Sequence, residues 1–287
     1  MNINEISDLS KIGVIKQKQK DFYLIRIKTV AGDMTAERLK AVAVIAEIYA
    51  DGKVHFTARQ GIEIHNIHVN KVIEAREELE RAGIELGACG PRVRGIMACP
   101  GAKTCRYGII DTKELAGELD RKYFGEKAPG KFKIGVSGCP NDCSKPIEND
   151  VGIMGGVLPG WDKERCTDCG LCVNICPTGA ITSDADGSYF LQVDECILCG
   201  ICIINCSGEA WRVDKKGYTL YLGGTMGKKP RLGTRAKTMI QNSEDLFRYI
   251  DRALEFYKKN GRKKERFGYT MERAGVAKSL KEILDGD

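Results

Sequence analysis

Thirteen cysteines sit within one stretch of a 287-residue chain, and their spacing constrains the fold more than any other feature. Residues 1–88 contain none. Cys89, Cys99 and Cys105 come first, then Cys139 and Cys143, then eight more from Cys166 to Cys206, and none after. The eight form two copies of one pattern: Cys166-x2-Cys169-x2-Cys172-x3-Cys176, then Cys196-x2-Cys199-x2-Cys202-x3-Cys206. Three thiolates on one tight loop can cap three metal atoms of a compact cluster. The fourth ligand must come from elsewhere.

Composition says which chemistry those thiols serve. About one residue in 22 is cysteine, above ordinary usage and below a small disulfide scaffold. An odd count resists complete pairing. Met1–Lys20 has no apolar stretch long enough for a secretory leader, and no segment approaches the roughly 18 apolar residues of a membrane span. The expectation is a cytoplasmic protein with reduced thiols, so metal binding is favoured over disulfides. A 43% hydrophobic fraction allows a real core. The net charge of +6 suits a small anionic ligand and is too mild and scattered to argue for nucleic acid.

The doubled run, with Pro177 after its first copy, is the bacterial ferredoxin pattern for two [4Fe–4S] clusters. Its crossed rule gives one cluster Cys166, Cys169, Cys172 and Cys206, and the other Cys196, Cys199, Cys202 and Cys176. Two structural zinc sites are the bland alternative, and this spacing twice over counts against them. Ser207 stands where the second copy usually has proline, which alters backbone stiffness more than ligation. Apolar neighbours such as Leu171, Ile175, Leu198 and Ile203 would shield the clusters from water. Such a unit moves single electrons and turns over no substrate itself.

The cysteine-free region reads as β-α-β-α. Phe22–Ile27 is a strand, Met34–Tyr49 a helix ended by Asp51-Gly52, 54–67 strand-like with a break at Gln60-Gly61, and Lys71–Ala82 a helix. Further on, Thr112–Tyr123 reads as a helix, Lys131–Val136 as a strand, Tyr218–Leu222 as a strand, Ser243–Lys259 as a long amphipathic helix and Met271–Leu284 as another. Residues 90–160 are rich in Gly, Pro and Cys.

Two cysteine pairs remain: Cys99-x5-Cys105 and Cys139-Pro-Asn141-Asp-Cys143. Their spacings are not ferredoxin spacings. Zinc held by four thiolates is an alternative, but x5 is wider than zinc pairs usually use. At these residues the sequence resembles the sirohaem-dependent sulfite and nitrite reductase family. In that family C-x5-C and C-P-N-x-C hold a [4Fe–4S] cube, and the last cysteine bridges to the iron of sirohaem, a tetrapyrrole with eight carboxylates. The resemblance implies Cys99, Cys105, Cys139 and Cys143 as ligands, with Cys143 the bridge. It extends to Thr57-Ala58-Arg59-Gln60, to Arg94, to Lys131-Phe132-Lys133 and to the 222–231 loop. It implies that Arg59, Arg94, Lys131 and Lys133 hold the oxyanion, and that Gln60, Asn141, Gly223, Gly224, Lys228 and Arg231 contact sirohaem.

The resemblance also implies an α+β chain: a ferredoxin-like half-domain over 1–88, an α/β sirohaem and [4Fe–4S] domain over 89–160 and 215–287, and an inserted ferredoxin domain over 161–214. The cofactors would be sirohaem and three [4Fe–4S] clusters. The reaction would be six-electron reduction of sulfite to sulfide. Nitrite reduction to ammonia is the alternative, as is a non-catalytic three-cluster electron carrier. Lys133 favours sulfite, since nitrite-preferring relatives tend to carry a neutral residue there. Only one copy of the family repeat is present, so a homo-oligomer or a complex with another subunit is expected. Without a Rossmann glycine motif, electrons should come from a separate donor protein or flavoprotein subunit.

Each basic residue has a plainer reading. A lone arginine on a strand is usually solvated, and Lys131 and Lys133 alternating about Phe132 also describe an ordinary exposed face. Their shared position relative to the cysteine motif is what raises them. His65 and His68, three apart on a strand, should face opposite ways and hold no common metal. Cys89 has no partner left and reads as a small buried hydrophobe.

Overall fold

The computed structural model describes residues 13–286, so the expectation for the leader region lies, over 1–12, outside the described residues. Among the described residues no helix is long and apolar enough to cross a membrane. The chain divides into two compact units. Unit 1 comprises 1–98, 113–134 and 254–275; unit 2 comprises 99–112, 135–253 and 276–287.

Unit 1 is built on β1 (Val14–Lys16), β2 (Phe22–Ile27), β3 (Val54–Phe56) and β4 (Ile62–His68), an antiparallel sheet of order β1-β2-β4-β3. Helices α1 (Ala36–Tyr49) and α2 (Val72–Arg81) supply its cover. Alternation along β2 buries Tyr23, Ile25 and Ile27, and these join Val42, Ile45, Ile64 and Leu79 in one core. The α1 start is set by Thr35, whose hydroxyl accepts from Arg38 N at 3.3 Å. Gly52, at φ 74°, supplies the left-handed residue after its last turn. β5 (Met97–Ala98) is a two-residue strand.

Unit 2 rests on two long strands, β7 (Val151–Trp161) and β10 (Trp211–Leu222). They pair antiparallel from Leu222↔Val151 to Trp211↔Trp161, with one irregularity between Val213 and Lys215. β11 (Thr234–Ile240) flanks β10, and β6 (Ile134–Ser137) flanks β7. The ferredoxin-like segment leaves this sheet after Trp161 and returns at Trp211. Asp162 N donates to Ala210 O at 2.9 Å, and Arg165 pairs with Glu209 at 3.3 Å, so the exit and return stay side by side. Within the segment, α4 (Leu171–Ile175), α5 (Ile201–Ile204) and the hairpin β8 (Ile181–Ser183) and β9 (Tyr189–Leu191) surround the cysteines. The helix α3 (Thr112–Tyr123) and the C-terminal helices α6 (Ser243–Asn260), α7 (Phe267–Ala274) and α8 (Val276–Asp285) complete the elements.

Three local expectations differ from the structure. Lys131–Val136 is not one strand: β6 starts at Ile134, and before it only Phe132 makes a β-bridge, to Val93. The reason is Phe132 itself, fully buried against Tyr257 (5.7 Å between rings) and Phe267 (5.4 Å), which fixes an extended segment by packing rather than by a ladder. The tail helix is two helices, broken at Gly275, where φ is 91°. Residues 151–161, left inside a Gly/Pro-rich region by the sequence, form the longest buried strand of unit 2. Gly155 explains the composition: a Cβ there would lie 2.4 Å from Gly138 O.

Candidate functional site

A cavity of about 430 Å³ in unit 1 collects positive charge from four separated segments. Its floor is the face of the sheet opposite the core. Arg26, Glu63 and His55 stand in register across β2, β4 and β3, since Arg26 pairs with Glu63 and Glu63 with His55. Arg26 meets Glu63 at 2.6 Å, and His65 meets it at 2.9 Å. Burial would raise the Glu63 carboxyl, but His65 and Arg26 hold it below its usual range. Glu63 is the single carboxylate in a lining that carries Arg26, Lys28, Arg59, Arg94, Lys131 and Lys133.

Each residue expected to hold the oxyanion, Arg59, Arg94, Lys131 and Lys133, lines this cavity. Lys131 and Lys133 flank Phe132, so anchoring the ring in the core turns both lysines the other way. Phe132 N donates to Arg92 O at 3.1 Å and Arg94 N donates to Phe132 O at 2.8 Å, which ties Arg94 to the same segment. The Arg94 guanidinium is held by Ala88 O at 2.6 Å and Gly90 O at 3.0 Å. Burial pushes its pKa down, and Arg26 and Arg266 add to the effect. Its buried Nε has no partner among the described residues. Arg59 donates to Gly95 O at 3.1 Å.

Two cations in the lining went unsingled in the sequence, Arg26 and Lys28. Lys28 Nζ lies 2.7 Å from Asp120 and 2.8 Å from Glu85; burial lowers its pKa, and these two carboxylates outweigh that and raise it. The signal was present: both alternate with Ile25 and Ile27, and an apolar-basic alternation is one buried and one polar face.

Gln60 has a structural part in the protein itself. At φ 62°, its side chain donates to Ala98 O at 2.8 Å and accepts from Ala98 N at 3.0 Å. It clamps the backbone immediately before Cys99. Thr29 Oγ1 donates to Gln60 O at 2.5 Å and fixes the clamp.

In unit 2 the other four thiols gather. Burial pushes the Cys139 thiol up, and Cys143, Cys99 and Cys105 all lie near enough to push it further. Gly138 N donates to Cys99 Sγ at 3.1 Å. Cys99 and Cys139 are buried and Cys143 is exposed, which leaves one thiol open to a larger partner. Asn141 is exposed in the loop, beside Asp142 and Lys145 at positive φ. Gly223 and Gly224 are packed: a Cβ on Gly224 would lie 2.2 Å from Ile147 O. Thr225 and Arg231 exchange backbone hydrogen bonds of 2.9 and 3.0 Å, so Lys228 is presented at an exposed tip.

The ferredoxin-like cysteines fall into two crossed groups. Cys166, Cys169, Cys172 and Cys206 line one small cavity, which Cys202 also touches; Cys176, Cys196, Cys199 and Cys202 line another. Gly170 and Gly200, at φ 68° and 69°, turn the two loops alike. Ala180 N donates to Cys176 Sγ and Ala210 N to Cys206 Sγ, each at 3.2 Å. Burial raises the Cys202 thiol to about 12, with Cys199 and Cys196 adding to it. Such thiols reach the thiolate form only against a cation or metal. Among the described residues no three His, Cys, Asp or Glu side chains converge tightly enough to hold a single metal ion. A cube ligated at its corners asks for thiolates set wider apart than one tetrahedral ion does. Each group gathers four thiols, the donor type that an iron–sulfur cube takes.

Residues 89–286 match the family described as nitrite and sulphite reductase 4Fe-4S domain, and residues 15–82 the nitrite/sulfite reductase ferredoxin-like half domain. The coenzyme F420-dependent sulfite reductase of Methanocaldococcus jannaschii is 36% identical over 95% of this chain, which spans 44% of that protein. The alpha subunit of dissimilatory-type sulfite reductase from Allochromatium vinosum is 26% identical over 97% of this chain and 73% of its own length. The crystal structure of dissimilatory sulfite reductase I superposes with a TM-score of 0.77 at 23% identity, over 93% of this chain and 69% of that one, and so shares the fold. With both of its domain types matched in order, the chain belongs to the sirohaem sulfite and nitrite reductase family.

Proposed function

We propose that this chain reduces sulfite to sulfide, using sirohaem, the [4Fe–4S] cube of Cys99, Cys105, Cys139 and Cys143, and the two further cubes of the inserted segment. The observation that carries this reading is the cavity with six cations and one carboxylate. A small dianion needs fixed donors on several sides, and arginine forks and lysine ammonium groups supply them. Bound sirohaem and its cube supply the electron transfer to sulfur.

The chain's own residues do the rest. Arg59, Arg94, Lys131 and Lys133 hold the oxyanion and orient it, and fixed cations stabilise charge that builds on its oxygens. Reduction releases those oxygens as water and consumes protons, which lysine ammonium groups can donate. Cys143 would bridge cube and tetrapyrrole. Lys228 and Arg231, with Gln60, Asn141, Gly223 and Gly224, would serve the tetrapyrrole and its carboxylates. Sulfite is preferred over nitrite because Lys133 keeps the pocket's charge high.

Electrons enter through the inserted segment from a donor protein or flavoprotein subunit, and the chain works in the cytoplasm as part of an oligomer or complex. The test is anaerobic purification followed by a visible spectrum and initial rates with sulfite and nitrite, using a low-potential dye as donor. Tetrapyrrole and cluster bands with faster sulfite turnover are expected. Cluster bands alone would leave an electron carrier instead.

A further inference from the structure

The chain has two tryptophans, and both lie at the root of the inserted segment. Trp161 ends β7, Trp211 begins β10, and they are direct cross-strand partners. Directly paired residues on adjacent strands point to the same face. Trp211 is 3% exposed and lines the cavity shared by Cys166, Cys169, Cys172 and Cys206. Trp161 packs against the buried cluster that contains Trp211, as do Cys166, Cys172 and Cys206. Its ring lies 5.7 Å from that of Tyr189, whose hydroxyl donates to Asp168 at 2.7 Å.

The two indole nitrogens are the anomaly. Both Nε1 atoms are buried; that of Trp211 is directed at the Cys172 thiol, one of the four of this cluster, and that of Trp161 has no hydrogen-bond partner among the described residues. Buried N–H donors are almost always paired, so the unpaired one of Trp161, next to a Trp211 already aimed at ligand sulfur, marks a missing acceptor. Indole can donate and cannot accept, which excludes another donor as that partner. The acceptor missing at Trp161 must be electron-rich and lie beside Trp211, which lines the cavity of the four thiols. Cluster sulfur has that chemistry. The neighbouring cavity of Cys176, Cys196, Cys199 and Cys202 is lined otherwise by Pro, Ile, Leu and Gly, with Thr178 its one side-chain donor.

We propose that Trp161 and Trp211 donate their indole N–H groups to sulfur of the cluster held by Cys166, Cys169, Cys172 and Cys206, and so hold that cluster at a higher reduction potential than its neighbour. Hydrogen bonds to sulfur help set cluster potentials, because they stabilise the more negative reduced form. The two cubes of the repeat are thereby made unequal by the host sheet rather than by their own loops. This rests on the cluster reading above, and the tryptophans are positioning residues, not ligands.

The test is a redox titration of the anaerobically purified full chain, followed by electron paramagnetic resonance, with iron and sulfide content measured alongside. In Trp161→Phe/Trp211→Phe, one of the two clusters should become about tenfold harder to reduce, ~59 mV for one electron. The other should not move, and iron content should hold. Replacing both tryptophans biosynthetically with benzothienylalanine keeps ring shape and removes the N–H, so it covers the case where phenylalanine loosens the fold. Because the chain has no other tryptophan, that replacement alters this site alone. An exchangeable-proton coupling to the reduced cluster, lost on replacement, is the second expected signature. Unmoved potentials at full iron content, or equal shifts of both clusters, would overturn the assignment while leaving the cluster reading intact. A native chain without iron in the repeat would overturn both.

Discussion

The anion cavity of unit 1 and the thiol sites of unit 2 do opposite things with sequence distance. Within the ferredoxin-like repeat, three of the four thiols proposed for each cluster sit within seven consecutive residues, and the fourth comes from the matching loop. The cavity instead takes Arg26 and Lys28 from the end of one strand, Arg59 from a turn, Arg94 from a loop, and Lys131 and Lys133 from a segment pinned by Phe132. A soft metal cluster can organise a short loop by binding it. A small anion cannot organise four segments, so the protein must hold the cations together beforehand, against their mutual repulsion. The half-domain core, the Phe132 aromatic cluster and carbonyl contacts such as Arg94 to Ala88 do that work.

If the comparison holds, ligand loss and cation loss should look different. The largest effect is expected from Cys139→Ser, which should abolish sulfite turnover and lower iron content; retained full iron would break the cluster assignment. Next is Lys133→Asn, where loss of one fixed donor should slow sulfite turnover by about 10²-fold with clusters intact. Nitrite turnover should fall less, and equal losses would count against sulfite preference.

Structural substitutions come lower. Gly155→Val drives side-chain atoms into Gly138 O and should cost about 1–3 kcal/mol, read as a Tm lower by roughly 2–4 °C per kcal/mol. Gln60→Ala leaves Ala98 N and O without their partner and should cost about 1–3 kcal/mol by denaturant melting. The smallest effect concerns pH. Glu265 is held at about 2, below its usual 4.5, chiefly by its hydrogen bond from Arg273. A depressed carboxyl stabilises the fold above its unfolded pKa, so its contribution is full above pH 4.5 and fades as pH falls toward 2. Glu265→Gln should flatten that part of the stability–pH curve; an unchanged slope would argue against the pairing.

The contrast also explains what was legible in advance. Cysteine spacing shows on the page because the thiols that gather at one site are near in sequence. The helices over 36–49 and 72–81 were readable from apolar periodicity and the Gly52 and Gly83 stops. Strand β7 was not, because Gly152, Gly155, Gly156, Pro159 and Gly160 are residues strands usually avoid. Gly152, Gly155 and Gly156 are present for close approach, which only the packed Pro146, Gly138 and Leu198 reveal. Arg26 and Lys28 were overlooked since a polar strand face carries no label until the sheet shows what covers it. The Gln60 clamp on Ala98 was not legible, because it depends on tertiary contact.

The pairing of Trp161 with Trp211 has a consequence for assembly. To the host sheet, the 49 residues from Asp162 to Ala210 are one hairpin connection whose ends already touch. Closing a connection ten times shorter would save only about 2 kcal/mol of chain entropy. The sheet can therefore form around a connection that has not yet received its metal, much as a socket can be wired before the lamp is fitted. Excising 162–210 and joining the strands with a tight turn should then leave a folded host, separating the question of how the scaffold folds from the question of how it is charged with electrons.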